Sequence, residues 1–258
     1  EMAQCLVGSE MCIRDSLNTI RDGVSLAVEA RMRSEHFRTE LITNVSHDIK
    51  TPLTSIINYV DLLGKEKPEN EKMREYIDVL QRQSARLKKL IDDLLEASKA
   101  STGNLAVNAE PCDVGVLLDQ TLGEYGEKLN AAGLEPVLTK PEKPVIIMAD
   151  GRHMWRIFDN LLNNICKYSQ RGTRVYLEVY ERDGKAVVTF RNISSRQLNI
   201  SSDELMERFV RGDSSRNTEG SGLGLNIAQS LAQLQKGVME LTVDGDLFKV
   251  TLTFDVVK

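Results

Sequence analysis

The sequence lacks several features that mark particular classes of protein. No apolar run approaches the roughly 18 residues that a membrane-spanning helix needs, so no stretch of it predicts a membrane span. Its 33 basic residues are outnumbered by 38 acidic ones, which gives a net charge of −5 and excludes a bulk positive field for nucleic acid. Its four cysteines are scattered, without metal-ligand spacing or the density of a disulfide-stapled fold, and a reducing compartment is expected.

The remaining composition is that of an ordinary globular protein, with 41% apolar and 28% charged residues. A length of 258 residues suggests two domains, one of them a smaller helical unit. The stretch Leu6–Ser16 back-translates into a sequence that resembles the transposon adapter used in preparing sequencing libraries. We interpret residues 1–16 as a non-native leader and leave them out of fold reasoning; an ordinary start sequence is the alternative.

Two apolar stripes predict a helical hairpin within residues 17–100. "GKEKPEN" (Gly64–Asn70) separates the stripes with glycine, proline and mixed charge. A lone hairpin buries two such seams poorly, so we predict that two copies pair into a four-helix bundle; the alternative is a hairpin packed on its own C-terminal domain. The stripes, each stepping by three or four positions, are Ile42, Val45, Ile49, Leu53, Ile56, Val60 and Leu63, then Met73, Ile77, Leu80, Ser84, Leu87, Ile91 and Leu94.

Beyond a small, polar linker, "SKASTGNL" (Ser98–Leu105), residues 104–258 predict a second domain. Helices and antiparallel strands follow one another there, which indicates an α+β sandwich. The predicted elements are a capped helix (Asp113–Gly133), a buried strand (Pro144–Asp150), a helix (Gly151–Ser169), a hairpin (Arg174–Asn192), two helical stretches (Ser201–Gly212 and Leu223–Gln235) and a closing hairpin (Val238–Val256).

The helix from Gly151 carries an unusual polar face. Asn160, Asn164 and Lys167 lie at i, i+4 and i+7, opposite an apolar stripe. Asparagine is a poor residue inside a helix because its amide competes for backbone hydrogen bonds, so this face costs stability. An amide oxygen suits a hard cation such as Mg²⁺, and an ammonium group one turn later suits phosphate oxygens. The alternative is a plain solvated face.

A glycine-rich loop, "GSGLGL" (Gly220–Leu225), precedes a predicted helix. Closely spaced glycines let backbone N–H groups approach phosphates, and a helix N-terminus favours anions. The loop is neither a P-loop nor a dinucleotide fingerprint, because the Lys-Ser/Thr and the βαβ unit are missing. A flexible turn is the alternative. The polar stretch before it, between Asn199 and Glu219, suggests a cover over the site.

"NVSHDIKTPLTSI" (Asn44–Ile56) places a histidine next to an acid on the first seam helix. His47 lies two residues from the seam positions on either side, so it faces outward. Pro52 removes the N–H that would bond the Asp48 carbonyl, which bends the helix at this point. A neutral imidazole is a competent nucleophile near pH 7, and an adjacent carboxylate can orient its ring proton. An ordinary surface histidine is the alternative.

These stretches together resemble the motifs of the sensor histidine kinases of two-component systems. "SHDIKTPLTSI" resembles the H-box, "NLLNNICKYS" the N-box, "ERFVRGD" the F-box region and "GSGLGLNIA" the G2 box. The four occur in family order over residues 17–258. The resemblance implies a dimerisation and histidine-phosphotransfer hairpin followed by an ATP-binding α/β sandwich of the gyrase and chaperone (GHKL) type.

The resemblance also implies roles for individual residues. His47 would accept the γ-phosphoryl group of ATP with Asp48 as its acid/base neighbour, Thr51 would help place a water for dephosphorylating the partner, and Asn164 would ligate Mg²⁺. The residues that would bind the nucleotide are Asn160, Asn164, Lys167, Tyr168, Asn192, Arg208, Phe209, Gly220, Ser221, Gly222, Leu223 and Gly224.

One motif departs from the family pattern. The G1 box, Asp-x-Gly-x-Gly, is expected after the strand that ends near Phe190, but the sequence there is "FRNISSRQLNIS". Asn192 falls at the place of the aspartate, and its amide oxygen would accept the hydrogen bond of the adenine amino group. A neutral acceptor binds more weakly than a carboxylate, so weaker adenine binding is expected.

The functional prediction is a Mg·ATP-dependent protein-histidine kinase that phosphorylates His47 and passes the phosphoryl group to an aspartate of a response regulator. Two alternatives stay open: a catalytically weak scaffold that dimerises and removes the regulator's phosphate, and another GHKL-type ATPase. A homodimer and a receiver domain are the expected partners, with no nucleic acid. The family resemblance further implies the cytoplasmic portion of a membrane-tethered sensor.

Overall fold

The computed structural model describes residues 49–50, 52–66, 70–101, 105–198 and 223–257. Helix α1 comprises residues 52–65, and residues 49–50 are helical as well. The other helices are α2 (Glu71–Ser101), α3 (Val114–Ala131), α4 (Gly151–Tyr168) and α5 (Gly224–Leu234). The strands are β1 (Glu110–Asp113), β2 (Glu135–Thr139), β3 (Ile146–Ala149), β4 (Arg174–Arg182), β5 (Lys185–Ile193), β6 (Val238–Asp244) and β7 (Leu247–Asp255).

Helices α1 and α2 form an antiparallel hairpin, as predicted. Lys50 Nζ lies 2.9 Å from Asp92 Oδ1 near one end, and Gln81 Nε2 donates to Asp61 Oδ1 at 3.4 Å near the other. Both pairs of residue numbers sum to 142, so the two helices keep one register along the hairpin. The second heptad seam lies on α2, which runs for 31 residues.

Within this hairpin, the residues of the two seams alternate between covered and exposed. Leu53, Val60, Ile77, Ser84 and Ile91 are each less than 9% exposed, because the two helices pack on each other through them. The intervening seam residues are exposed by 41% to 51% of their surface: Ile49, Ile56, Leu63, Met73, Leu80 and Leu87. The hairpin therefore covers half of its own seam and leaves an apolar face open.

The C-terminal domain is built on a five-stranded sheet in the order β2-β4-β5-β7-β6, with β1 and β3 as a separate antiparallel pair. The predicted hairpins are present: β4 and β5 join at Asp183 and Gly184, both at positive φ, and β6 and β7 join through Gly245. The strand β2, which was not predicted from the sequence, pairs with β4 in parallel.

Helices α3, α4 and α5 pack together and cover the sheet, with the core between them. Phe158 of α4 and Phe190 of β5 meet in that core at a ring-centroid distance of 5.6 Å. Each of the first two helices begins at an aspartate whose side chain accepts backbone N–H groups: Asp113 for α3 and Asp150 for α4. The expected α+β architecture, a helical hairpin followed by a sandwich, is confirmed.

Candidate functional site

Helix α4 separates an apolar face from a polar one, as its sequence predicts. The apolar face is fully covered: Ile157, Phe158, Leu161, Leu162 and Ile165 are all 3% exposed or less. The polar side chains become more exposed along the helix, from Asn160 at 8% through a half-buried Asn164 to an exposed Lys167. The two asparagines thus lie in a partly enclosed place rather than on a solvated surface, where an amide would be unremarkable.

The asparagines lie against the beginning of α5. A β carbon added to Gly224 would lie 3.3 Å from Oδ1 of Asn160 and 3.7 Å from both amide atoms of Asn164. Glycine lets the first turn of α5 approach the two side chains this closely. The structure therefore brings together the N-box asparagines and the end of the glycine-rich loop, which lie 60 residues apart in the sequence.

Asn160 is held in place within its own helix. Its Nδ2 donates to the carbonyl oxygen of Arg156 at 2.9 Å, which turns Oδ1 toward Gly224. This bond offsets part of the cost of placing asparagine inside a helix. The side chain consequently presents an oxygen, an acceptor, to the first turn of α5.

Asn192 lies close to the C-terminal end of α4. It is 5% exposed and is on the same face of β5 as Phe190, which packs against α4. Two backbone hydrogen bonds join the strand end to the helix end: Gln170 N–H to Ile193 O, and Ser195 N–H to Tyr168 O, both at 2.8 Å. Asn192 and the exposed Tyr168 are thereby brought to one edge of the sandwich.

The start of α4 is fixed by Asp150, which is 3% exposed. Its carboxylate accepts from the backbone N–H of Arg152 at 2.9 Å and of Asn108 at 3.0 Å, while its own N–H donates to Gln235 just after α5 at 2.7 Å. Burial alone would raise the pKa of Asp150, but these backbone hydrogen bonds and nearby His153 lower it overall. Asp150 therefore ties the beginning of α4 to the end of α5.

Several predicted site residues lie outside the described part of the chain. These are His47, Asp48, Thr51, Arg208, Phe209, Gly220, Ser221 and Gly222. Leu223, the first described residue before α5, is 2% exposed and belongs to the core.

Asparagine supplies the side-chain oxygen donors that the described residues of α4 offer to a cation here. Among the residues that the structure describes, no group of three or more His, Cys, Asp or Glu side chains is placed to hold a metal ion. Amide oxygens are ligands that hard cations accept, usually together with water and substrate phosphates. The amide groups of Asn160 and Asn164, packed beside the N-terminus of α5, are donors of the kind that a magnesium–phosphate group would use.

One feature of α4 was not predicted from the sequence. Arg156 extends from α4 to α2, where its guanidinium contacts Asp93 at 2.8 Å and Glu96 at 2.9 Å, and it also contacts Asp159 at 3.0 Å. Tyr125 Oη of α3 donates to Asp159 at 2.5 Å, so the polar cluster spans three helices. Only the Arg156–Asp159 pair, at i and i+3, could have been found from the sequence.

Models of two protein families match the chain, each on one of its two folded parts. The His kinase A (phospho-acceptor) domain matches residues 37–103, and the histidine kinase-, DNA gyrase B- and HSP90-like ATPase domain matches residues 149–258. The chain belongs to the sensor histidine kinases of two-component systems. Its C-terminal domain is accordingly of the ATP-binding type, and the family resemblance noted from the four motifs is confirmed.

Individual histidine kinases match over most of the chain. The sensor protein VanSC of Enterococcus gallinarum is 30% identical over 225 residues, covering 85% of this chain and 61% of VanSC. The sensor protein kinase WalK of Staphylococcus aureus is 27% identical over 233 residues, covering 88% of this chain and 55% of WalK. The chain thus spans little more than half the length of these curated relatives.

Solved structures agree on the fold. The full-length ShkA in complex with AMPPNP has a TM-score of 0.73 at 21% identity, covering 85% of this chain and 46% of that one. The Acinetobacter baumannii histidine kinase AdeS has a TM-score of 0.59 at 20% identity, covering 82% of this chain and 98% of that one. Within the described residues, no helix has both the length and the apolar character to cross a membrane.

Proposed function

We propose that the protein binds Mg·ATP between α4 and α5 and transfers the γ-phosphoryl group to His47. The observation that carries this proposal is the close approach of Gly224 to Asn160 and Asn164, which places their amide groups beside a helix N-terminus. The two matching family models, one for a phospho-acceptor domain and one for an ATPase domain, support the same reaction.

In this proposal the residues of α4 and α5 position the nucleotide rather than supply a strong base. Phosphoryl transfer depends mainly on alignment and charge stabilisation. Bound Mg²⁺ would supply positive charge to the phosphate oxygens, and Asn164 is the residue proposed to hold it. Asn160 and Lys167 face the phosphates, and the N–H groups at the start of α5 donate to them. Tyr168 and Asn192 lie at the edge where the adenine is expected.

At the other end of the reaction, His47 attacks and Asp48 orients its ring proton. The phosphoryl group then passes to an aspartate of a response regulator, and Thr51 is proposed to help place the water that hydrolyses the regulator's phosphoaspartate to release phosphate. The hairpin, taken as residues 17–100, and the catalytic domain, taken as residues 104–258, are proposed to form the cytoplasmic portion of a membrane-tethered sensor. Residues 1–16 remain interpreted as a non-native leader.

The open face of the hairpin is proposed to pair with a second copy. Six seam residues that repeat at heptad spacing are exposed by 41% to 51%, whereas their neighbours on the same seam are buried. A second hairpin laid against this face would complete a four-helix bundle, because heptad seams pack best against seams of the same period. The proposed functional unit is therefore a homodimer.

The experiment that tests the nucleotide site compares Asn164→Ala with a control, Asn130→Ala, which changes an exposed asparagine on α3. Asn164→Ala is expected to lower Mg²⁺-dependent labelling from γ-phosphate-labelled ATP by about 100-fold or more, because a misplaced phosphoryl group loses that much rate. Both variants should unfold like the parent. Undiminished labelling of Asn164→Ala would reject the assignment.

A second candidate function is a scaffold that dimerises and dephosphorylates a regulator without binding ATP well. It is favoured by the sequence at the end of β5, where Asn192 replaces the family's aspartate and no glycine follows up to residue 211. Calorimetric titration with Mg·ATP separates the two. Micromolar binding favours the kinase, and the absence of detectable heat at millimolar nucleotide favours the scaffold.

A further inference from the structure

We propose that Arg156 is a positioning residue: by binding Asp93 and Glu96 of α2, it docks the ATP domain on the hairpin at the level where phosphoryl transfer to His47 takes place. The inference rests on the proposed kinase function and adds a residue to it that no motif of the family resemblance includes. Its basis is the set of contacts between α2 and α4 and their place along the hairpin.

The contact is built as an enclosed charge cluster rather than as a surface pair. The Arg156 side chain is 23% exposed, Asp93 8% and Glu96 24%, and all three hydrogen-bond within 2.9 Å. Enclosed, geometrically satisfied ion pairs are sensitive to the loss of either partner, unlike exposed pairs. Burial alone would lower the pKa of Arg156, but the hydrogen bond and charge of Glu96 and the charges of Asp93 and Asp159 raise it overall.

The far side of the guanidinium is also fixed. Asp159, which binds Arg156 at 3.0 Å, accepts the hydroxyl of Tyr125 on α3 at 2.5 Å. The burial of Tyr125 and this hydrogen bond both raise the pKa of the phenol above its ordinary value. The arginine is thus held in one orientation by its own domain and offered to α2, which is what a docking contact requires.

Apolar residues extend the contact between α2 and the ATP domain toward the C-terminal end of α2. Ala97 and Ala100 of α2, 3% and 5% exposed, belong to the same core as Leu223 and Ile227, and α5 packs against α2. Small side chains on α2 let the helix from the ATP domain approach closely. The charged pair therefore marks one end of an interface whose other end touches the helix that borders the nucleotide site.

The register of the hairpin shows which part of α1 lies beside this interface. Asp92, adjacent to Asp93, contacts Lys50 at 2.9 Å, and Lys50 is three residues from His47 in the sequence. Arg156 therefore contacts α2 at the level of the hairpin that is tied to the phosphoacceptor segment. On its own helix, Arg156 lies one turn before Asn160, whose amide donates to the Arg156 carbonyl at 2.9 Å. Arg156 therefore contacts both the hairpin, through its side chain, and Asn160 of the proposed nucleotide site, through its carbonyl group.

The test uses the full chain as a dimer and compares Arg156→Met and Arg156→Lys with the parent. In single-turnover labelling with γ-phosphate-labelled ATP, Arg156→Met is expected to lower the rate about 10- to 100-fold, because docking aligns the reactants. Its calorimetric Kd for Mg·ATP should stay within about twofold, and Arg156→Lys should recover part of the rate. Arg152→Met is the matched control, since that side chain on the same helix is 87% exposed and makes only a 3.8 Å contact with Asp150.

A thermodynamic cycle tells docking from a local role. If Arg156 acts through α2, the triple variant Arg156→Met, Asp93→Asn, Glu96→Gln should be no slower than Arg156→Met alone. The proposal would be overturned if the Asp93→Asn and Glu96→Gln changes lowered the rate of Arg156→Met further. It would also be overturned if Arg156→Met lost as much affinity for Mg·ATP as it lost rate, or if it labelled faster than the parent. A parent that labels His47 while Arg156→Met labels equally fast removes only this inference. A parent that never labels removes the proposed function and this inference with it.

Discussion

The hairpin and the sandwich bury their apolar residues to different extents. In the sandwich, the core side chains of α4 and the sheet, such as Leu162, Phe190 and Leu252, are at most 1% exposed. In the hairpin, Leu80 and Leu87 remain 47% and 45% exposed although they follow a heptad seam as faithfully as their buried neighbours. The sandwich satisfies its hydrophobic pattern within one chain, and the hairpin satisfies only half of its own. The difference supports the proposal that the sandwich completes its core by folding, whereas the hairpin completes its seam by pairing with a second copy.

The largest effect is expected at the exposed face of the hairpin, where a second copy is proposed to bind. Leu80→Lys removes an apolar seam contact from each copy and places two charges in the interface, which costs about 3–6 kcal/mol per dimer. The dimer Kd should rise by about two to four orders of magnitude, while the thermal transition of the sandwich stays unchanged. Analytical ultracentrifugation over a concentration series measures the first quantity and calorimetry the second.

The control for this change is Glu75→Lys, an exposed position of α2 outside the seam, which should leave the dimer intact. If the dimer Kd of Leu80→Lys stayed within about twofold of the parent's, the exposed half of the seam would not be the dimer interface, and the contrast between the two regions would be lost.

A somewhat smaller effect is expected in the core of the sandwich, which is buried within one chain. Leu162→Ala leaves a cavity under α4, where the side chain is fully buried, and should lower the free energy of unfolding of the sandwich by about 2–5 kcal/mol. Denaturant titration followed by the fluorescence of Trp155, the single tryptophan, measures this loss. A matched Leu63→Ala change on the exposed seam should cost the sandwich nothing. Equal losses for the two would remove the distinction between the regions.

The smallest effect concerns the cap of α4. Asp150→Ala removes the acceptor for two backbone N–H groups and should cost about 1–2 kcal/mol of unfolding free energy near pH 7. Because the pKa of Asp150 is lowered in the folded state, its contribution is full above the unfolded value of 3.8 and is lost as the pH falls through the lower folded value.

The difference between parent and Asp150→Ala should therefore narrow as the pH is lowered from about 5 toward 3 in urea titrations. Asp255→Ala, at a side chain that is 73% exposed, is the control. A deficit that stayed constant down to pH 3 would show that the carboxylate charge of Asp150 plays no part.

Local patterns were enough to predict the elements that depend on local physics. Heptad steps gave the hairpin, Asp183-Gly184 gave the turn between β4 and β5, and the two faces of α4 followed from its spacing. The strands β1 and β2 were not predicted. Each contains a proline at its second position, Pro111 and Pro136, and proline normally argues against a strand. Here each strand lies at a sheet edge or in a short two-stranded pair, where proline is tolerated.

The candidate site divides in the same way. Asparagines at i and i+4 identified the polar face of α4, but their contact with Gly224 depends on how α5 packs, which no local pattern encodes. The Arg156–Asp93 contact joins residues 63 positions apart on different domains and was not foreseeable. Asn192 was located by counting along the chain, and its burial beside the end of α4 could be learned only from the folded sheet.

Phosphoryl transfer to His47 is tested by labelling the purified chain with γ-phosphate-labelled ATP and Mg²⁺ and then measuring the stability of the product in acid and in base. We expect a label that is lost in acid, persists in base, maps to His47 and is absent from His47→Ala. Acid-labile label that persists in His47→Ala, or a parent protein that binds Mg·ATP yet never forms a phosphoramidate, would contradict it.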